Sequence, residues 1–204
     1  MKKLLLLGAI AMLPSMAARA DIIPTNDSIT GGPGAYTWSY FAQVTQDQTA
    51  FAGHAPASQP VQHAEVNGGA FFTIYDFAGY IAGTCTSPTG WSCTVQNVGF
   101  TPDAVNPVAP PDNPGIVNLT WSYNQGAPII GSQYVYGFSA MADNAFVTQT
   151  SFAARATKNI GSQAGTFVDN VGNVDAPVGL PEPASLGLLG LAVAGLAAAC
   201  RRKA

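Results

Sequence analysis

Positive charge is scarce in this 204-residue chain, which contains only eight Lys and Arg residues. Six of the eight lie before Asp21 or after Leu180, so the segment between these positions keeps only Arg155 and Lys158. The same segment holds ten of the eleven Asp and Glu residues, and two cations against ten carboxylates give a formal charge of −8. Phosphate backbones and anionic lipid headgroups are bound through clustered cations. The scarcity therefore excludes a nucleic-acid partner and electrostatic adsorption to a membrane for the central segment.

Helical periodicity is also missing outside the two terminal segments, which disfavours an α/β architecture. Short β-type runs alternate instead with Gly, Pro, Asn and Asp, and the clearest run is Tyr36 to Val44, where every second residue is apolar. The other runs are Ala70 to Ile81, Cys93 to Phe100, Ile116 to Tyr123, Gln133 to Met141, Phe146 to Thr157 and Gly165 to Val168. We predict an all-β fold, a single β-sandwich of Ig-like or jelly-roll-like type over residues 21–180.

One connection in this pattern is rich in proline. Thr101 to Pro114 contains five prolines, which have no N–H to donate to a β-ladder. We expect this stretch to be an extended surface connection that crosses between the two sheets.

Motifs of common enzyme and metal sites are absent. The sequence has no G-x-S-x-G nucleophile elbow, no H-E-x-x-H pair and no Gly-rich phosphate loop followed by a helix. The only histidines, His54 and His63, lie in a loop-like region, and we expect both to be solvated. Asp143 and Asp169, each followed by Asn, offer oxygen ligands for calcium, but neither lies in a D-x-D-x-D-G loop and Asx residues also form turns. We predict no catalytic residue, no metal site and no cofactor, and leave calcium binding open.

Cysteine is rare too, with three in the chain. Cys200 belongs to the C-terminal apolar run, which leaves Cys85 and Cys93. Turn-forming residues between the two allow their thiols to meet across a short loop. Export to an oxidising compartment favours a disulfide, and closing this loop stabilises the fold by roughly 2 to 3 kcal/mol.

The N-terminus carries the pattern of a secretory signal peptide. A basic start, Met1 to Lys3, precedes the apolar run Leu4 to Leu13. A cleavage site of the A-x-A type, formed by Ala18 and Ala20, then precedes Asp21. We predict that residues 1–20 are a signal peptide, read by the Sec export machinery and removed.

The C-terminus carries a second targeting pattern. The 17 residues from Ala184 to Cys200 contain no charge and, at roughly 1.5 Å per residue in a helix, only just reach across a bilayer core. We predict a transmembrane helix over 184–200, with the cationic tail 201–204 on the cytoplasmic side. The flanking residues of the pattern are Pro181, Glu182 and Pro183 before the run, and Arg201, Arg202 and Lys203 after it. An ordinary anchor that is never cut is the alternative.

This combination resembles the PEP-CTERM sorting signal of Gram-negative bacteria, and the resemblance covers residues 181–204. It implies that exosortase, an integral-membrane protease-like enzyme, recognises the tail and removes it. The protein would then be inserted in the membrane only transiently. It would reach the cell surface or the exopolysaccharide matrix once both terminal signals are gone.

Parts of the body resemble an ectodomain common among PEP-CTERM proteins. The similar stretches are residues 117–123, 128–131 and 152–159, and they imply a surface-exposed β-domain without a defined activity. Within them, we expect Trp121 and Tyr123 to be core residues and not a platform for sugar rings.

The functional prediction is a non-enzymatic protein with a structural or adhesive role in exopolysaccharide or biofilm. Its neutral surface, rich in hydroxyl and amide groups, would form hydrogen bonds with glycan or pack against like domains. One alternative is a secreted hydrolase of matrix polysaccharide, for which Glu65 and Asp76 are the only close acids on a strand-like stretch. Another is a subunit of a surface filament.

Overall fold

The computed structural model describes residues 22–53, 69–102 and 110–179. Within these ranges the chain forms ten β-strands, one short 3-10 helix at Gly161–Gln163 and no α-helix, which confirms the all-β prediction. The strands are β1 (Ile22–Gly32), β2 (Ala35–Val44), β3 (Gln48–Ala50), β4 (Phe71–Ile74), β5 (Trp91–Gln96), β6 (Asn118–Tyr123), β7 (Ile129–Ile130), β8 (Gln133–Ala142), β9 (Val147–Lys158) and β10 (Phe167–Pro177).

The strands form two antiparallel sheets. The smaller sheet has the order β1-β2-β8, and the larger has seven strands in the order β5-β6-β4-β9-β3-β7, with β10 added on β9. The twelve-residue strand β9 organises the larger sheet. It pairs with β10 along one edge and with β4 and β3 in succession along the other.

The hydrophobic core lies between the two sheets. On β2 every second residue is buried, so Trp38, Tyr40 and Ala42 face inward while their neighbours face outward. On β6 all six residues are buried, because this strand is covered on both faces. Inward side chains of both sheets form one continuous core cluster, so the architecture is β-sandwich-like.

Aromatic rings fill the centre of this core. Phe138 of β8 lies with its ring centroid 5.0 Å from those of Phe72 and Trp91 and 5.9 Å from that of Trp121. Phe72 and Trp121 are themselves stacked at 5.1 Å. Trp121 is fully buried and Tyr123 is 5% exposed, which confirms the prediction that both are core residues.

Four of the seven predicted runs match a strand within two residues at each end. The run Cys93 to Phe100 overlaps β5 only in part, and two others differ in length. The run from Ala70 forms only the four-residue β4, because the backbone at Asp76 has a φ of +51° that no strand accepts. The run at Gly165 to Val168 extends instead to Pro177 through its pairing with β9. Strand β1 escapes prediction because Pro24 and a bulge near Asp27 interrupt its pattern, and both are tolerated at the edge of a sheet.

The expectation that the proline-rich stretch crosses between sheets is wrong. Strands β5 and β6, which flank it, are adjacent and antiparallel in the same sheet. Phe100, immediately before the stretch, is buried and packs against Phe71 at 4.6 Å, and Pro102 and Pro110 within it are also buried. The connection therefore leaves β5 against the outer face of the larger sheet, at Phe71, and does not bridge the sandwich.

Within the part of the chain that the structure describes, no helix is long and apolar enough to cross a membrane. The predicted signal peptide, with Ala18, Ala20 and Asp21, and the predicted transmembrane helix over 184–200 lie outside the described residues.

We expect the folded protein to lose stability at alkaline pH, because two of its tyrosines are buried. Burial raises the pKa of Tyr75 to about 12, and burial together with the negative charge of Asp175 raises the pKa of Tyr40 further. Both phenols donate hydrogen bonds, to the backbone oxygens of Phe100 and Asp175 respectively. The unfolded chain therefore loses these protons from about pH 10 while the folded chain keeps them, so stability falls as pH rises.

We expect a loss of about 1.4 kcal/mol per pH unit from each tyrosine above pH 10, measured by urea unfolding at stepped pH. Tyr75→Phe should reduce this slope by about half, because only the buried phenol of Tyr40 then contributes to it. An unfolding free energy that stays constant between pH 9 and pH 11 would contradict the prediction.

Candidate functional site

Strand β8 presents two tyrosines on the outer face of the smaller sheet. Tyr134 and Tyr136 are two residues apart and so point to the same side. Gly137 then forms a β-bulge against β2, where Tyr40 pairs with Phe138 but the next residue, Phe41, pairs with Tyr136. Its φ of +97° favours glycine. The bulge allows Tyr136 to face outward while Phe138, two positions later, faces the core.

Phe41 of β2 lies between the two tyrosines. Its ring centroid is 5.7 Å from that of Tyr134 and 5.4 Å from that of Tyr136. Tyr134 is 53% exposed and Tyr136 is 58% exposed, so both rings present apolar surface to solvent. We name these three residues the aromatic ridge. Its tyrosines offer two ring surfaces about 7 Å apart along the strand, each with a hydroxyl group at its tip.

The face around the ridge is neutral and polar. Paired residues of β1, β2 and β8 form cross-strand rows on this side of the sheet, and the rows contain no charged side chain. Asp27, the unpaired residue of the β1 bulge, is the only charged residue in the three strands. The polar residues of the rows are Thr25, Ser28, Thr30, Thr37, Ser39, Gln43 and Ser139.

The predicted disulfide supports this face from the side. Cys85 and Cys93 are joined, with their Cα atoms 6.2 Å apart. Inside the loop, Thr86 pairs with Ser139 of β8 through backbone bonds and through a contact of 2.7 Å between the two hydroxyl oxygens. The loop therefore covers the outer edge of β8 beside the bulge.

Of the acids considered for catalysis or calcium, the three that the structure describes, Asp76, Asp143 and Asp169, have structural partners. An oxygen of Asp76 accepts a hydrogen bond from the backbone N–H of Asn113, and burial raises the pKa of the Asp76 carboxyl. Oδ1 of Asp143 accepts one from the Asn144 amide. Both oxygens of Asp169 bind the guanidinium of Arg155, at 2.6 and 2.8 Å. Among the described residues, no group of three or more His, Cys, Asp or Glu side chains gathers that could hold a metal.

The ion pair at Asp169 also removes a cation from the surface. The Arg155 side chain is 3% exposed and lies 4.5 Å from the centroid of the Phe167 ring. Lys158 is then the one remaining cation in the described part of the chain. Binding of a polyanion is disfavoured more strongly than the sequence alone indicates.

Several predicted site residues lie outside the described ranges. They are His54, His63 and Glu65 in the central segment, and Pro181, Glu182, Pro183, Arg201, Arg202 and Lys203 at the C-terminus. The sorting residues are nevertheless covered by a comparison. Residues 180–203 match the family model of the PEP-CTERM protein-sorting motif.

The chain therefore carries a PEP-CTERM sorting motif, as the resemblance predicted. This motif implies an exported protein that exosortase processes and that transits the membrane. No significant match was found among curated proteins or among solved structures. The molecular activity of the body is therefore inferred from the residues that its own surface exposes.

Sequence reasoning missed the aromatic ridge. The run Tyr134-Val135-Tyr136 alternates as a strand should, but a strand pattern does not say which of its faces is covered. The glycine that follows was the available signal, since an isolated glycine in a strand marks a bulge. A bulge at Gly137 reverses the facing of the aromatic residues before it relative to Phe138.

Proposed function

We propose that the protein is a non-enzymatic component of the cell surface or exopolysaccharide matrix that binds polysaccharide through the aromatic ridge. Exosortase sorts it to that location, and the β-sandwich, of Ig-like or jelly-roll-like type, holds the binding face. The observation that carries the proposal is the exposed cluster of Phe41, Tyr134 and Tyr136 on an uncharged sheet face. An exposed apolar patch rimmed by polar residues marks an interaction site.

The chemistry of the ridge favours a neutral glycan. Sugar rings have apolar C–H faces that stack on aromatic rings and hydroxyl edges that form hydrogen bonds. Tyr134 and Tyr136 provide the rings, and Thr25, Ser39 and Gln43 in the adjoining cross-strand rows provide donors and acceptors. An ionised polymer would meet no cation on these strands, since their only charged residue is Asp27.

The first test is truncation of the ridge. Tyr134→Ala and Tyr136→Ala each remove a ring that is about half exposed, so we expect each to weaken binding by about 1 kcal/mol, roughly fivefold in Kd. The double variant should lose about 2 kcal/mol, roughly thirtyfold. Affinity electrophoresis of residues 21–180 in gels containing purified host matrix polysaccharide measures this loss.

Phe146→Ala is the matched control, because Phe146 is an aromatic residue of similar exposure, 61%, outside the ridge. It should bind polysaccharide like the parent. Size-exclusion chromatography at rising concentration tests whether the ridge joins like domains instead. A body that ignores the polysaccharide, or a double variant that loses only self-association, would contradict the proposed function.

A further inference from the structure

The place where the sorting tail leaves the body is fixed. The backbone N–H of Val178, directly after β10, donates to the oxygen of Phe146 at 2.9 Å. The Asn144 amide donates to the oxygen of Val178 at 3.2 Å, and its own oxygen accepts from the N–H of Phe146 at 3.0 Å. Asn144 is 4% exposed, and Trp38 of the core donates to its backbone oxygen. The buried Asn144 thus holds the chain exit against the β8–β9 corner.

Only a short chain separates this exit from the apolar run of the tail. Five residues, 179–183, lie between Val178 and Ala184. The six Cα-to-Cα steps from Val178 to Ala184, at about 3.6 Å each, reach at most about 22 Å. The headgroup layer on each side of a bilayer is itself about 5 to 8 Å thick. While the apolar run is in the membrane, the exit corner must stay close to the lipid surface.

The surface around the exit is apolar and open. Phe146 is 61% exposed and Val147 is 53% exposed. Beside them lies a concavity of about 310 Å³, lined by the β1–β2 turn at Pro33 and Gly34 and by the corner that includes Phe146. Asp143 is the only charged residue in this lining. The concavity is therefore not built to attract a charged partner. Phenylalanine is among the apolar residues that peripheral segments bury at the boundary between headgroups and acyl chains.

We propose that this exit rim, formed by Pro33, Gly34, Phe146 and Val147, rests on the lipid bilayer in the uncut precursor. The tail supplies the anchor, and Phe146 inserts its ring at the level of the headgroups. The contact orients the body so that the five-residue connection, which contains Glu182, lies at the membrane surface. Removal of the tail ends the contact, because the rim has no cation to hold anionic lipid by itself. The proposal does not depend on polysaccharide binding.

The experiment places an environment-sensitive fluorophore at single cysteines of the full precursor, reconstituted in phosphatidylcholine vesicles with or without brominated acyl chains. The label is attached at Phe146→Cys or Ile160→Cys, each in a Cys200→Ser background, and under non-reducing conditions that keep Cys85 and Cys93 paired. Ile160 is the matched control, since it is 56% exposed and lies beyond the other end of β9. Eleven residue steps at about 3.4 Å put the two ends of that strand about 37 Å apart.

We expect a blue-shifted emission at position 146 that brominated lipid quenches, and neither effect at position 160. A body that ends at residue 179 should show no quenching at position 146. A third label at the native Cys200 reports whether the tail is inserted. Quenching at Cys200 without quenching at position 146 would overturn the proposal, as would equal quenching at positions 146 and 160. A blue shift at 146 without quenching would place the rim against another copy of the chain and not against lipid, which would overturn the proposal. An unquenched Cys200 would overturn it too, because the tail would then not anchor the body in the membrane.

Discussion

Asp169→Asn should destabilise the body by about 3 to 5 kcal/mol, a large fraction of the free energy of unfolding of an ordinary domain. The side chains of Asp169 and Arg155 are 2% and 3% exposed. Asparagine keeps the size of Asp169 but removes its charge, so the guanidinium would stay buried without a counter-ion. Urea unfolding of residues 21–180 at neutral pH, followed by intrinsic fluorescence, measures the loss.

Two further variants test the cause of that loss. Asp175→Asn is the matched control on the same strand, because the Asp175 carboxylate accepts from the neutral amide of Gln149 and not from a cation. It should cost less than about 1 kcal/mol. Arg155→Met combined with Asp169→Leu should recover most of the stability, because a buried pair replaced by apolar residues is often nearly neutral. If Asp169→Asn unfolds with the parent's midpoint, the ion pair has no such role.

The sequence predicted the strands better than their arrangement. Tyr36 to Val44 alternates cleanly because one face of β2 is core and the other faces out, and the structure has the strand at nearly those bounds. Alternation does not determine which strands are neighbours. The pairing of β5 with β6 across the proline-rich stretch, and of β9 with β3 and β4, depends on contacts distant in the sequence.

The sorting motif and the aromatic ridge differ in how far the sequence alone predicts them. The sorting motif is a contiguous segment that a membrane enzyme reads in order, so the residues themselves predict it, and the match over 180–203 agrees. The aromatic ridge is assembled from two strands separated by more than ninety positions. Composition indicated a neutral polar surface, but only the register of β2 against β8 brings Phe41 between Tyr134 and Tyr136.

The buried arginine shows a similar limit. From the sequence, Arg155 is one of two cations in the body and looks like a surface residue, because arginine is mostly exposed. The register places it opposite Asp169 on β10 and opposite Phe71 on β4, in the middle of the larger sheet. A strand-like pattern with small residues at 153, 154 and 156 did not indicate that both faces of β9 are covered.

Phe138→Ala should also cost about 3 to 5 kcal/mol, the range for a buried phenylalanine truncated in a core. The ring is fully buried and lies within 6 Å of three other aromatic rings, those of Phe72, Trp91 and Trp121. These large side chains belong to the other sheet, and two of them are stacked on each other, so they have little freedom to fill the space. Loss of the ring leaves a cavity at the contact between the sheets.

Phe138 points into the core next to the bulge that directs Tyr136 outward. Variants at Phe138 can therefore change the stability of the fold while they leave the aromatic ridge intact. Phe138→Leu keeps much of the apolar volume and should cost less than about 1.5 kcal/mol. At a temperature where Phe138→Leu is still folded, it should bind polysaccharide with the parent's affinity, because the aromatic ridge is intact. Unfolding in urea and affinity electrophoresis on the same samples measure the two effects. If Phe138→Ala is as stable as the parent, Phe138 does not join the sheets. If Phe138→Leu is folded but does not bind polysaccharide, binding requires more than the three rings of the aromatic ridge.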